Sequence, residues 1–205
     1  MNRNKNNNVI LSGVVARTPV YSHEVFGESF YVFDMDVQRT SGITDTVPVM
    51  VSERMCNIES IKVGNAYKIM GQFRSYNKKE ESKSYLLLSV FTTEMIELDE
   101  EESVEENNVV IYGYICKEPV YRKTPLGREI ADVLVAVNRN YAKSDYIPCI
   151  VWGRNARYVS TLEVGSPVEL RGRIQSREYV KKINEEESET RVAYEVSVNQ
   201  ITLCE

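Results

Sequence analysis

Short runs of apolar residues alternate with turn residues along the whole chain. Val9-Ile-Leu-Ser-Gly-Val-Val15 and Val109-Val-Ile-Tyr-Gly-Tyr-Ile115 are rich in β-branched side chains and predict strands. The glycine inside each run marks a bend or bulge. Phe30-Tyr-Val-Phe-Asp-Met-Asp-Val37 alternates in polarity, and Ile130-Ala-Asp-Val-Leu-Val-Ala-Val137 is more uniformly apolar; both predict a second strand. Val47-Pro-Val-Met-Val51 and Ile147-Pro-Cys-Ile-Val-Trp152 predict a third. Helical spacing follows, with Asn155 as a cap and Ala156, Val159 and Leu162 on one face; residues 53–61 are its weaker counterpart. Fourth strands are expected over 66–76 and 168–179, charged hairpin tips over 77–84 and 181–190, and last strands over 85–91 and 192–201.

These elements occur twice. At an offset of 100, Asn8-Val-Ile-Leu-Ser-Gly13 answers Asn108-Val-Val-Ile-Tyr-Gly113, and Pro19-Val-Tyr21 answers Pro119-Val-Tyr121. Gly27, Val37, Arg39, Pro48 and Arg54 find the same residue types at 127, 137, 139, 148 and 154. At an offset of 101, Gly64 pairs with Gly165 and Gly71 with Gly172. Glycine and proline fix unusual backbone angles, so matched punctuation implies a matched chain path. A period this long is a domain duplication rather than a solenoid unit. The division is residues 1–98, an acidic linker at 99–106, and residues 107–205. The order of three strands, helix, two strands is that of the OB-fold, a five-stranded Greek-key barrel. The expected class is therefore all-β: two tandem OB barrels, each with one short helix between strands three and four.

Charge adds a qualification. The net charge of −5 weighs against a polyanionic partner. Yet residues 1–98 are neutral, 107–205 carry +1, and Asp99-Glu-Glu-Glu-Ser-Val-Glu-Glu106 alone carries −6. Either domain can therefore still present a basic groove. Cys56, Cys116, Cys149, Cys204 and the single His23 do not cluster, so neither a metal site nor any other cofactor is expected. Walker, HExxH and GxSxG patterns are absent from the sequence, and no enzyme is expected. No apolar run approaches the roughly 20 residues that span a bilayer. The Asn-rich start lacks the apolar stretch of a signal peptide. The expected setting is cytoplasmic, with no membrane partner.

The stretches Asn108-Val-Val-Ile-Tyr-Gly113, Ile147-Pro-Cys-Ile-Val-Trp-Gly-Arg154 and Leu162-Glu-Val-Gly-Ser-Pro-Val-Glu-Leu-Arg-Gly-Arg-Ile174 resemble the bacterial single-stranded DNA-binding protein family and its primosomal relatives. The resemblance runs through both copies. It implies binding of single strands by stacking bases on aromatic rings and holding phosphates with Lys and Arg, a grip that tolerates any sequence. Tyr141, Tyr146, Trp152 and Tyr179 stand where the family places stacking residues. Tyr146 and Trp152 are six apart, so they share a strand face with Pro148 and Ile150. The competing reading is that this face is core. Phosphate candidates are Arg122, Lys123, Arg139, Arg154, Arg171, Arg173 and Arg177, with Lys181 and Lys182 at a hairpin base. Arg171, Arg173 and Arg177 share parity and would line one wall of a groove, unless that wall is an ordinary solvated face.

Copy one departs from the pattern. Ser41, Thr46 and Ser52 stand where copy two has Tyr141, Tyr146 and Trp152. Arg74, Tyr76, Lys78 and Lys79 remain as candidates. Phe30 and Phe33 have opposite parity, so one ring is expected to be exposed. Copy one is thus expected to bind DNA more weakly or to serve mainly in pairing. The family's replicative members end in an acidic recruiting tail with a hydrophobic tip; this sequence ends in Ile201-Thr-Leu-Cys-Glu205. An accessory role in replication, recombination or repair is expected, with a primosomal or replication-restart adaptor as the alternative. By analogy with the family, two chains would supply four OB domains as a homodimer, with the first strands as the pairing elements.

Overall fold

The computed structural model describes residues 6–80, 83–99, 106–182 and 188–204. Among them lie eleven strands and one short α-helix. The first half contributes β1 (Asn7–Val25), β2 (Glu28–Gln38), β3 (Thr44–Ser52), β4 (Ala66–Glu80) and β5 (Lys83–Leu98). The second contributes β6 (Asn107–Ile115), β7 (Val120–Lys123), β8 (Glu129–Asn138), β9 (Ser144–Trp152), α1 (Arg154–Val159), β10 (Pro167–Lys182) and β11 (Ser188–Leu203). In the first half β1 pairs with β2, β2 with β3, β3 in parallel with β5, β5 with β4, and β4 with β1, which closes a ring. In the second, β6, β8, β9, β11 and β10 close a ring by the same pattern, and β7 extends β8. Leu11, Phe33, Met35, Ile69 and Phe73 fill one barrel; Ile111, Ile115, Ile147, Leu170 and Ile174 fill the other. Each such side chain withdrawn from water contributes about 1.5–3 kcal/mol.

The repeated glycines sit where backbones cross closely. A Cβ on Gly13 would meet the carbonyl oxygen of Asp36, and one on Gly113 that of Ala136. Gly71 and Gly172 face the carbonyls of Phe91 and Ser197 in the same way. Both fourth strands carry their register shift immediately before that glycine. Gly64 and Gly165 both sit at φ near 95°, where an L side chain is strained. The matched punctuation therefore marks the same bends in both halves.

The halves join edge to edge. β1 runs antiparallel to β6 with Val9 opposite Val109, Asn7 opposite Ile111 and Leu11 opposite Asn107. An approximate two-fold axis thus passes between Val9 and Val109. Polar contacts repeat across it. Asn7 brackets the backbone of Phe73, and Asn107 brackets Ile174. Asp45, fully buried, accepts from the Ser176 N–H at 2.7 Å and from Arg39 at 2.6 Å. Asp145 accepts from the Ser75 N–H at 2.9 Å. Each half therefore reaches into the fourth strand of the other.

Four expectations need correction. The segment 53–61 forms only a 3-10 turn over Ile58–Ser60, capped by the Asn57 side chain, which accepts from the Glu59 N–H. In the second half, α1 ends at Val159, earlier than the expected Leu162. The position before it is Gly153 at φ 58°, and Asn155 lies inside the helix, donating to the Asn199 carbonyl. The first strands pair with each other within one chain, so these edges are already occupied. Finally, Phe30 and Phe33 are both buried: Phe33 faces the core, while His23 stacks on Phe30 from the long β1–β2 hairpin. Of the acidic segment, 100–105 lie outside the described residues; Glu106 pairs with Lys68 at 2.6 Å.

Gly172→Ala is expected to destabilise by about 1–3 kcal/mol, because the Ser197 backbone opposite cannot yield cheaply. A denaturant midpoint checks this, with the exposed Val164→Ala as a control near zero. The two buried aspartates should behave differently. Burial pulls Asp45 upward, but hydrogen bonds from Arg39 and Ser176 outweigh it and hold the carboxyl below its ordinary range. Its stabilisation is present above the unfolded-state pKa and lost as pH falls through the folded value. For Asp145 burial outweighs its partners, and the carboxyl is raised. Asp45→Ala is therefore expected to cost about 3–5 kcal/mol at neutral pH, with Asp145→Asn costing less. The deficit of Asp45→Ala should narrow below about pH 4, measured by thermal melts across pH.

Candidate nucleic-acid interface

β9 alternates except at Ile150, which is buried although it shares parity with Tyr146 and Trp152. Ile147, Cys149 and Val151 point into the core, while Tyr146, Pro148 and Trp152 take the outer side. Trp152 is half-buried, and its indole N–H donates to Ser197 Oγ on β11 at 3.1 Å. That bond fixes the ring on the barrel wall and leaves part of it to the groove above. Two adjoining hollows of about 460 and 300 Å3 share Trp152, Arg173 and Ser197 in their walls. Arg128 and Arg177 complete the larger one, together with Arg39 from the first half. The buried Nε of Arg173 has no hydrogen-bond partner among the described residues. Such a donor costs about 1–3 kcal/mol unless something accepts from it. An indole ring flanked by guanidinium groups offers a stacking face and anion contacts together.

A second groove, of about 280 Å3, lies between the two halves. Asn7, Gln72 and Arg74 of the first half face Arg139, Tyr141 and Lys143 of the second. Tyr141 is 95% exposed and sits at φ 61°, a left-handed position unusual for a bulky residue. Arg139 Nη1 lies 3.3 Å from Asp145. The Arg74 guanidinium covers the ring of Phe91 at 3.7 Å and donates to Gln72 Oε1 at 2.8 Å. Burial and the neighbouring Arg139 push Arg74 down to about 10, so it stays cationic at neutral pH.

The candidates from the sequence are thus distributed over two grooves and beyond them. Trp152, Arg173 and Arg177 come together. Tyr141 and Arg139 cross the two-fold axis into the other groove, beside Arg74. Tyr146 is exposed on β9, with its N–H bound to Ser75 Oγ at 2.7 Å. Tyr179 and Lys181 lie on the outer arm of β10, and Tyr76 and Lys78 on that of β4; all four are exposed. The side chains of Lys79 and Lys182 lie outside the described residues. Arg154 is exposed at the start of α1. Arg122 holds Asp132 at 2.6 Å on the β7–β8 hairpin, with Lys123 beside it. Arg171 pairs with Glu169 at 2.8 Å and does not line the groove that holds Arg173 and Arg177; the register shift between Arg171 and Gly172 interrupts the parity that grouped them.

Sequence reasoning passed over Arg39, Lys143 and Phe91. Arg39 had a signal, its exact match to Arg139 in the repeat. Phe91 had none at a fixed offset. The register aligns Gln72 with Phe91 and Arg173 with Ser197, so Phe91 and Ser197 are equivalent positions. The offset there has grown to 106. The pair Trp152 and Ser197 in one barrel is therefore answered by Ser52 and Phe91 in the other: the ring has moved from the third strand to the fifth.

Residues 106–203 match the model of the single-strand binding protein family. Over 80 residues the chain is 40% identical to single-stranded DNA-binding protein 1 of Staphylococcus aureus (strain COL), covering 36% of this chain and 48% of that protein. It is 38% identical over 80 residues to single-stranded DNA-binding protein A of Bacillus subtilis (strain 168), covering 46% of that protein. The chain thus spans about half the length of the curated relatives it matches. The solved single-stranded DNA binding protein from Thermus aquaticus shares the fold, with a TM-score of 0.72 over 97% of this chain and 93% of that one at 16% identity. The match to the single-strand binding protein family thus falls on the barrel that carries Trp152 and covers just under half of the chain.

Proposed function

We propose that this protein binds single-stranded DNA without sequence preference, as a binding protein and not an enzyme. The two closed rings are read as tandem OB barrels, residues 1–98 and 107–205, joined by the acidic segment 99–106. The observation that carries the reading is Trp152, held by Ser197 on the wall of a groove that also displays Arg39, Arg128, Arg173 and Arg177. A base stacks on the indole, and the guanidinium groups neutralise flanking phosphates. The match of residues 106–203 to the single-strand binding protein family supports the same reading. Because Arg39 belongs to the first half, the groove is complete only when both halves are present. The role is accessory to replication, recombination or repair, and the assembly is a homodimer with four barrels. Apolar side chains on the outer face of the central sheet, Val14 of β1 and Ile96 of β5, favour pairing of two chains there.

A second reading, a primosomal or replication-restart adaptor, is favoured by the β1–β2 hairpin. Val20, Tyr21 and Val25 are exposed on it, and Phe26 at its tip is fully exposed at φ 51°. An exposed apolar arm suits protein contact.

Titration with oligo-dT, followed by emission of the single tryptophan, tests the first reading. Strong quenching that weakens with salt is expected. Trp152→Ala is expected to lose about 1–3 kcal/mol of affinity. Flat emission together with no mobility shift would refute it. A second comparison locates the phosphate path. Arg173→Ala is expected to lower the salt slope by about 1, whereas Arg171→Ala, whose guanidinium is held by Glu169, leaves slope and affinity near wild type. Equal effects in the two variants would count against the groove.

A further inference from the structure

We propose that Phe91 and Arg74 form a second base-stacking position, on the first barrel, for the same class of ligand, single-stranded nucleic acid. The inference rests on the function proposed above. The sequence makes the first half look stripped of stacking residues, since Ser52 stands in for Trp152. The structure places a ring at the neighbouring strand instead. Phe91 lies opposite Gln72 on the barrel wall, where Ser197 lies opposite Arg173 in the other half. It is half-buried, not core.

The ring is backed from below. Phe30 lies 5.9 Å from Phe91, and His23 stacks on Phe30 at 5.1 Å with planes 13° apart. This column holds Phe91 rigid, which lowers the entropy cost of stacking a further plane on it. The plane that covers it now is the Arg74 guanidinium, 3.7 Å above the ring. Arg74 also lines the groove that contains Tyr141 and Lys143 of the other half. Its head is bonded to Gln72, a neutral side chain; Asp145 also lines this groove, but its carboxylate accepts from the Ser75 N–H and from Arg139. A nucleotide entering this groove meets a cation already positioned for its phosphate. The base then takes the face of Phe91 or stacks on the guanidinium itself, and both are favourable arrangements. The two barrels thus hold bases at equivalent places with different strands: the third strand in one, the fifth in the other.

The experiment uses the full chain in two forms, each with a single tryptophan. The wild type reports on Trp152, and the double variant Trp152→Phe/Phe91→Trp reports on the first barrel. Both are titrated with oligo-dT of about 30–40 nucleotides. Quenching in both forms is expected. Phe91→Ala and the volume-keeping Phe91→Leu are each expected to bind about 5- to 100-fold more weakly, with circular dichroism melts confirming that they fold. If the wild type quenches normally while the double variant's emission is unmoved and Phe91→Leu binds at wild-type affinity, the second position is refuted and the DNA-binding reading stands. If neither form responds and no oligonucleotide is retained, both are refuted together.

Discussion

The pairing of β1 with β6 governs the rest of the molecule. A five-stranded ring hides most of its edges, but the first strand keeps one open along part of its length, and an open edge must be covered or paired. Here two copies of the same edge satisfy each other inside one chain, with Val9 opposite Val109. That single ladder sets an approximate two-fold axis. The main contacts around it then come in matched pairs: Asn7 and Asn107 each bracket a strand of their own half, while Asp45 and Asp145 each cross to the fourth strand of the other. The acidic segment needs only to span the distance between β5 and β6. It does not have to orient the barrels, because the ladder does.

A consequence is that neither groove belongs to one half. The loop before β3 carries Arg39 to the groove of Trp152, and the loop before β9 carries Arg139, Tyr141 and Lys143 to the groove of Arg74. The buried aspartates anchor these loops. Asp45 holds Arg39 with one oxygen pair while taking the backbone N–H of Ser176. A contact that looks structural therefore also aims a groove residue, and the two roles cannot be separated by mutation of Asp45 alone.

Much of the fold was legible from the sequence because its strongest signals are steric. Gly13, Gly71, Gly113 and Gly172 are required by backbone carbonyls lying where a Cβ would go, so they recur at a near-constant offset. The site was less legible, for two reasons. Parity along β9 placed Tyr146 and Trp152 on one outer face, and this is what the strand shows. Parity says nothing about which barrel a loop leans toward, so Tyr141 was grouped with Trp152 although the two line different grooves. The β10–β11 hairpin is also longer than the β4–β5 hairpin, so positions beyond it slip out of alignment. Phe91 was invisible for that reason: at an offset of 101 it is compared with Val192, whereas its structural equivalent is Ser197. In the first half the expected helix is replaced by a single 3-10 turn, Ile58–Ser60, that ends at the extended Ile61.

The two barrels are best understood as a duplication that kept its path and exchanged its surface. In a pair of separate identical chains, both grooves would have to carry the same residues. Fusion removes that requirement. The third-strand ring survives in one half, where Ser197 is small enough to sit beneath an indole and donate no bulk of its own. In the other half Phe91 occupies that place, and a tryptophan at position 52 would have to share the wall with it. Ser52 is the compatible neighbour: its hydroxyl instead binds Glu28, which is also held by Arg54 at 3.5 Å. The acid at 28 stands where the second half has Arg128, a groove cation. Ring and charge have therefore changed together, so the two grooves differ in their balance of aromatic surface and positive charge.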